Sequence, residues 1–104
     1  MSIVSVYAVF ANGEEAERIG RQMVEERLTA CVNILGPCRS IYRWQGSVES
    51  ADEVAAIFKT TDRQAEALMT RIAGLHSYDV PCVVVWPIDK LLGAYAEWVE
   101  GNVV

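Results

Sequence analysis

Residues 29–60, TACVNILGPCRSIYRWQGSVESADEVAAIFKT, decide the fold, because they predict two long strands that pair with each other. Thr29 to Ile34 is typical of a β-strand, and the same pattern resumes from Arg39 to Trp44. Gly36-Pro37 interrupts the pattern. Because proline cannot donate to a strand ladder, we expect a bulge or bend there, close to a sheet edge.

A tight turn and a return strand complete this hairpin. Gln45-Gly46 is suited to a hairpin turn, and the return strand is predicted from about Val48 to Thr60, with its most apolar part at Val54 to Phe58. The hairpin is unusually long for so small a chain. Since two helices of one chain cannot cover its outer half, we expect that half to contact another subunit.

Two helices are predicted from their caps and their apolar spacing. Asn12 can cap the first helix, and Glu15 three residues later completes a pattern like a capping box. Thr61 to Gln64 repeats that pattern and begins the second helix. In both helices the apolar residues recur on one side, which predicts that each covers a sheet face.

The order of elements then predicts the fold. Further strands are expected from Ile3 to Phe10 and from Val80 to Trp86, and a short last helix from about Leu91 to Glu100. Two right-handed β-α-β units joined by a hairpin give an α+β split βαβ, or ferredoxin-like, fold. We expect one domain over residues 1–104, with an antiparallel sheet and both long helices on one face.

Composition restricts the classes of partner. Apolar residues make up 52% of the 104 residues, and strands that are apolar on both faces indicate homo-oligomerisation. The formal net charge is −5 and the basic residues are scattered, which argues against a nucleic acid partner. No apolar run approaches a membrane span. Three cysteines with no CxxC pair favour reduced thiols and a cytoplasmic location.

Four segments resemble the signature stretches of the CutA family, also called divalent-cation-tolerance proteins. The segments are Leu28 to Ile34, Ser40 to Gly46, Ile57 to Thr61 and His76 to Pro81, in the right order and spacing. The resemblance implies a ferredoxin-like fold, a tight homotrimer with long hairpins packed between subunits, and a link to copper or other divalent metals. The trimer of that family is likened to the nitrogen-signalling PII proteins.

The chain departs from the family pattern at three places. The family commonly has His-Pro-Tyr where this chain has His76-Ser77-Tyr78. Some members carry a cysteine and a second histidine, proposed as metal ligands, at the positions of Ala8 and Leu75. Those two ligands are therefore missing here.

His76 and Cys31 are the candidate metal ligands. A neutral imidazole suits copper and zinc, although a histidine at a helix end also hydrogen-bonds the last carbonyls. Cys31, in an apolar strand, is equally consistent with a small packed side chain. A three-fold axis could bring single ligands from different chains together. Cys82, in a strand expected to be buried, is predicted to pack in the interior.

Lys59 ends an apolar strand run, where a charge needs a partner. It either binds a small anion or forms an ion pair with Asp79 or Glu53. Lys59 and four family-like residues are predicted to line a cleft between subunits, although aromatic residues on a hairpin also fit simple packing at a subunit contact. The other four are His76, Tyr78, Tyr42 and Trp44.

No enzyme template fits the chain. It has no GxSxG elbow and no Walker loop, and its only histidine has no obvious nucleophile beside it. We therefore predict a non-enzymatic homotrimer of the CutA type that binds a divalent metal such as copper. The alternative is a PII-like signalling or scaffold protein that binds a small effector or a protein partner.

Overall fold

A computed structural model of the protein describes residues 2–104. Its four strands form one antiparallel sheet in the order β2-β3-β1-β4, which confirms the predicted ferredoxin-like α+β fold. The elements are β1 Ile3–Phe10, α1 Gly13–Glu25, β2 Cys31–Trp44, β3 Ser47–Thr61, α2 Asp62–Leu75, β4 Val83–Pro87 and α3 Gly93–Asn102.

The hairpin of β2 and β3 has the predicted irregularity and turn. The register shifts between Ile34 and Gly36, so the bulge is at Leu35, two residues before Pro37, and β2 continues through it as an edge strand. Gln45 and Gly46 both have positive φ, 48° and 83°. This left-handed pair matches the twist of the strands it joins and closes the hairpin tightly.

Both long helices begin at the predicted caps. The Asn12 side chain accepts a hydrogen bond from the Glu15 amide at 2.9 Å, and the Thr61 hydroxyl accepts one from the Gln64 amide at 3.3 Å. These bonds satisfy amide groups that the first turn of a helix leaves without a partner.

Helices α1 and α2 cover one face of the sheet, as predicted. Phe10 and Phe58, from adjacent strands, form the centre of the core, and Ile19 of α1 and Leu68 of α2 close over them. All four side chains are fully buried. Burial of such large apolar side chains is the main force that holds the helices on the sheet.

The opposite face of the sheet is only partly covered. Helix α3 packs on one end of it, where Ile3, Ala30 and Val99 form a second small core. Beyond α3, Tyr7 and Trp86 stack on each other with ring centroids 4.7 Å apart, and Trp86 remains half exposed. We refer to the part of this sheet face beyond α3 as the open face.

Two elements differ from the prediction. Strand β4 begins at Val83 rather than Val80, because Pro81 has no amide hydrogen and the preceding loop is bonded elsewhere. Cys82 is consequently exposed in this chain and not in the interior. Helix α3 begins at Gly93, since the Leu92 carbonyl accepts its first hydrogen bonds. None of the helices in residues 2–104 is both long and apolar enough to span a membrane.

At Gly20, α1 packs closely against β2. A Cβ on Gly20 would lie 3.0 Å from Val32 Cγ1, whereas a Cβ on Gly74 of α2 would meet nothing within 4 Å. Val32 is β-branched and stiff, so we expect Gly20→Ala to lower the free energy of unfolding by about 1 kcal/mol. Gly74→Ala should instead raise it by up to about 1 kcal/mol. Urea denaturation of both variants measures the two changes in the free energy of unfolding. An equal increase at both sites would contradict the expectation.

Candidate functional site

The loop of residues 76–82, between α2 and β4, forms one side of the candidate site and is tied to α1 by a buried carboxylate. Glu15 accepts from the Ala11 amide at 3.0 Å with one oxygen and from the Ser77 amide at 2.9 Å with the other. Burial alone raises the pKa of Glu15, but the hydrogen bonds from Ala11 and Ser77 outweigh burial and leave that pKa below its ordinary value.

The imidazole of His76 fastens the start of this loop to β1. Its Nδ1 accepts a hydrogen bond from the Tyr78 amide at 3.0 Å, so Nδ1 carries no proton and Nε2 is the protonated nitrogen. Nε2 donates to the Val9 carbonyl at 2.8 Å, and the ring stacks on Phe10 with centroids 5.2 Å apart. Both nitrogens of this buried ring are therefore engaged within the chain.

Tyr78 connects the loop to the hairpin. Its hydroxyl donates to Glu53 Oε2 at 2.8 Å, and its ring lies 4.9 Å from that of His76. Burial, together with the hydrogen bond and the negative charge of Glu53, raises the pKa of Tyr78 to about 12. The hydroxyl thus remains a donor to Glu53 over the physiological pH range.

A cavity of about 630 Å³ lies on the open face between this loop and the outer half of the hairpin. Strand alternation aims every other residue of β1, β2 and β3 into it. It is lined by Tyr7, Val9, Ser40, Tyr42, Trp44, Glu49, Glu53, Tyr78, Asp79, Val80 and Cys82.

The charge of the cavity lining has one sign. Glu49, Glu53 and Asp79 supply three carboxylates, and neither lysine nor arginine belongs to the lining. Burial and the nearby Glu53 raise the pKa of the Cys82 thiol, which keeps that thiol protonated near neutral pH. A positively charged ligand is therefore favoured here over the small anion considered from the sequence.

The structure brings together three of the five residues predicted to share a cleft. Tyr42, Trp44 and Tyr78 line the cavity, and His76 lies directly behind Tyr78. Lys59 does not belong to the lining. It is six residues from Glu53 along β3, about 20 Å in an extended strand, and no ion pair joins it to Glu53 or Asp79 in residues 2–104.

Cys31 and His76 lie at different ends of the sheet. Cys31 is paired beside Lys59, which in turn pairs with Ser5, whereas His76 binds the carbonyl of Val9 four residues further along β1. The Cys31 thiol contacts the Tyr95 hydroxyl at 3.3 Å. Within the described chain, no three His, Cys, Asp or Glu side chains are grouped so that they could hold a metal ion.

Sequence reasoning missed two residues that matter to the site. Glu15 was interpreted only as a capping residue, yet it also holds the Ser77 amide. Tyr7 lines the cavity, and the strand pairing of Tyr7 with Ile57 puts it on the same sheet face as Glu53. The period-2 pattern of β1 and β3 was the signal that could have revealed Tyr7; no local pattern marked the second role of Glu15.

Another hollow of about 610 Å³ lies on the outer side of α2 and shares no lining residue with the cavity on the open face. Its guanidinium, Arg71, is already held by Glu26 through two hydrogen bonds of 3.0 and 2.9 Å. The rest of its lining has one carboxylate, Glu66, and otherwise small or apolar residues, so it offers less chemistry than the cavity on the open face.

Comparison with known proteins assigns the family. The family model described as CutA1 divalent ion tolerance protein matches residues 4–102. The chain belongs to the CutA family.

Full-length relatives and solved structures agree with this family assignment. The CutA divalent-cation tolerance protein of Archaeoglobus fulgidus is 36% identical over 98 residues, covering 94% of this chain and 95% of that protein. Its solved structure, described as periplasmic, superposes with a TM-score of 0.93 and covers 96% of this chain and 97% of that chain. The rice CutA1 structure is 33% identical with a TM-score of 0.97, covering 100% of this chain and 95% of that one. The chloroplastic CutA of Arabidopsis thaliana is 35% identical over 99 residues, which cover 95% of this chain and 54% of that longer protein.

The Glu15 carboxylate is expected to stabilise the fold only when ionised. In Glu15→Gln the backbone amide of either Ala11 or Ser77 would face the new NH₂ group. We therefore expect the free energy of unfolding at pH 7 to fall by about 1–3 kcal/mol. Because folding lowers this pKa, the stabilisation is fully present above the ordinary value of 4.5 and declines as the pH falls below it.

Urea denaturation at pH 7 and pH 3, followed by tryptophan fluorescence, tests this expectation. The difference in free energy of unfolding between the wild type and Glu15→Gln should be smaller at pH 3 than at pH 7. Glu14→Gln, one residue away and exposed, is the matched control and should change little at either pH. A gap of the same size at both pH values would rule out the role of the ionised carboxylate.

Proposed function

We propose that residues 1–104 form one domain of a cytoplasmic, non-enzymatic homotrimer that binds divalent cations, copper among them, and thereby contributes to divalent-cation tolerance. The observation that carries this proposal is the cavity on the open face, whose lining has three carboxylates and no basic side chain. The family to which the chain belongs supports the same role by its description.

The donors for a divalent cation would come from the cavity and not from His76. Both imidazole nitrogens are already bonded, to Tyr78 and Val9. Glu53 and Cys82, in contrast, both line the cavity, and the charge of Glu53 contributes to the raised pKa of the Cys82 thiol. Carboxylate and thiolate groups bind zinc and copper, and a metal bound by Cys82 would displace the thiol proton. One described chain does not hold a complete copper site, so groups of a neighbouring subunit or water would complete the coordination.

The homotrimer is supported by apolar side chains that one chain leaves uncovered. Ile41 and Val48, on the outer half of the hairpin, are 74% and 65% exposed. On the open face, Trp86 and Val84 are also exposed. These two pairs lie on opposite faces of the sheet, so the chain leaves apolar side chains uncovered on both faces, as is typical of a subunit contact.

A non-enzymatic role agrees with the state of the two groups that could do proton or nucleophilic chemistry. The Cys82 thiol has a raised pKa, so little of the reactive thiolate is present near neutral pH. His76 has both ring nitrogens bonded to backbone groups, those of Val9 and Tyr78. The pairing of nucleophile and base that covalent catalysis uses is therefore not assembled from these two residues.

A cytoplasmic location is supported by the three cysteines, all of which are free thiols, as in reducing compartments. Relatives of this chain are described as periplasmic and as chloroplastic, so the compartment is specific to each protein. Fractionation of the source cell would test it.

The PII-like alternative is favoured by one observation, the absence of a three-donor metal group within residues 2–104. In that case the cavity would hold a small effector and the trimer would contact a protein partner. Affinity capture with and without a chelator separates the two roles, since a stoichiometric protein partner indifferent to the chelator would favour signalling or scaffolding.

Metal binding is expected to depend on the cavity donors. Calorimetric titration of the metal-free protein with zinc(II) and copper(II) should show at least tenfold weaker binding for Glu53→Gln and for Cys82→Ser than for the wild type, because each variant removes one donor. Glu97→Gln, exposed on α3, is the control and should bind like the wild type. Equal affinity in all four proteins would place the metal elsewhere or exclude it.

Oligomer formation is expected to depend on the outer half of the hairpin. Light scattering coupled to gel filtration should give a mass about three times the 11.5 kDa of one chain. Ile41→Asp should reduce that mass because it puts a charge into an apolar contact, whereas Val24→Asp on α1 should not. A monomeric wild type would refute the trimer.

A further inference from the structure

Glu53 is a buried carboxylate without a cationic partner. Its side chain lines the cavity, yet the residue is only 8% exposed. The ion pairs found in residues 2–104 join other carboxylates to arginine, and none includes Glu53. Glutamate is seldom buried to this degree unless a positive charge is paired with it.

The two oxygens of Glu53 differ in their bonding. Oε2 accepts the Tyr78 hydroxyl at 2.8 Å, whereas Oε1 accepts no hydrogen bond from the described part of the chain. No fully buried side-chain nitrogen or oxygen in residues 2–104 lacks a partner. Oε1 must therefore be reachable from the cavity, where a donor on a ligand can meet it.

Aromatic rings share the cavity with this carboxylate. Tyr7, Tyr42, Trp44 and Tyr78 all belong to the lining of the same cavity. Trp86 stacks on one side of Tyr7 at 4.7 Å and fixes that ring. Electron-rich ring faces attract organic cations, and several rings around one site are the usual means of recognising an ammonium group.

We propose that this cavity binds an organic cation, an ammonium or guanidinium group on a short apolar chain, with Glu53 as its counter-ion. The N–H groups of the ligand donate to Glu53 Oε1, and the rings of Tyr7, Tyr42 and Tyr78 flank the charge and its carbon chain. Tyr78 is a positioning residue, because its hydroxyl holds Glu53 Oε2 and leaves Oε1 to the ligand.

The composition of the lining distinguishes this ligand from the alternatives. Four aromatic rings offer no atoms that coordinate a bare metal ion strongly, but their faces attract an alkylammonium group through cation–π interactions. An anion would be repelled by Glu49, Glu53 and Asp79. The inference rests on the cation-binding part of the proposed function and does not depend on a metal.

The test uses n-butylammonium chloride as the probe and the full chain in its native assembly, freed of metal by a chelator. Amide chemical shifts are followed by NMR during titrations with n-butylammonium, with neutral 1-butanol and with butanoate. We expect n-butylammonium to bind at least tenfold more tightly than 1-butanol and to shift the amides around Glu53 and Tyr78. Butanoate should not produce these shifts.

Three variants test which residues produce the preference for n-butylammonium over 1-butanol. Glu53→Gln keeps the shape and should lose the tenfold preference for n-butylammonium over 1-butanol. Tyr42→Leu, at a partly exposed position, should weaken n-butylammonium binding about twofold to fivefold. Glu97→Gln on α3 should behave like the wild type. If Glu53→Gln does not fold, Tyr42→Leu alone still decides whether the rings contribute.

Several outcomes overturn the proposal. Equal affinity for n-butylammonium and 1-butanol would show that the carboxylate does not recognise the charge. Retention of the preference in Glu53→Gln would place the ammonium elsewhere. Failure of all amine binding, combined with dissociation of the oligomer in Glu53→Gln, would mean that a basic side chain of a second copy occupies the cavity. Loss of copper or zinc binding alone would affect only the proposed function.

Discussion

Two hydrogen bonds made by one imidazole, one accepted and one donated, hold the site together. Nδ1 of His76 accepts the Tyr78 amide and Nε2 donates to the Val9 carbonyl, so a single ring sets both the direction of the loop after α2 and its distance from β1. Glu15 adds a second tie through the Ser77 amide. Since backbone groups buried without partners are costly, these bonds also explain why the loop leaves the β ladder and why β4 begins only at Val83.

The site on the open face follows from this arrangement. Once the loop is held, Tyr78 projects toward the hairpin and its hydroxyl reaches Glu53. The long hairpin supplies the opposite wall, because its bulge and edge position leave Tyr42 and Trp44 aimed at the same space. The result is a cavity with aromatic walls and acidic charge, built from elements far apart in the sequence. The single histidine ties the loop to β1 through both ring nitrogens, and residue type alone favours such a hydrogen-bonding role over a ligand or an acid–base group.

Much of the fold was predictable from local patterns. Strand β1 has the predicted bounds, and the caps at Asn12 and Thr61 mark the helix starts, because apolar periodicity and capping are encoded within a few residues. The site was less predictable, since it depends on register between strands. Lys59 and Glu53 lie on the same side of β3, yet their separation of about 20 Å keeps them in different places. Cys82 was predicted to be buried because it lies in an apolar run. That run gives no sign that Glu15 and His76 hold its first residues in a loop.

The tautomer of His76 tests the account most directly, and the chain has only one histidine to observe. Long-range proton–nitrogen NMR correlation at neutral pH distinguishes protonated from unprotonated ring nitrogens. The account predicts an unprotonated Nδ1 and a protonated Nε2, unchanged when zinc(II) is added. A protonated Nδ1, or a zinc-induced shift of either ring nitrogen, would contradict it, because the imidazole would then be free to leave the backbone groups that hold the loop.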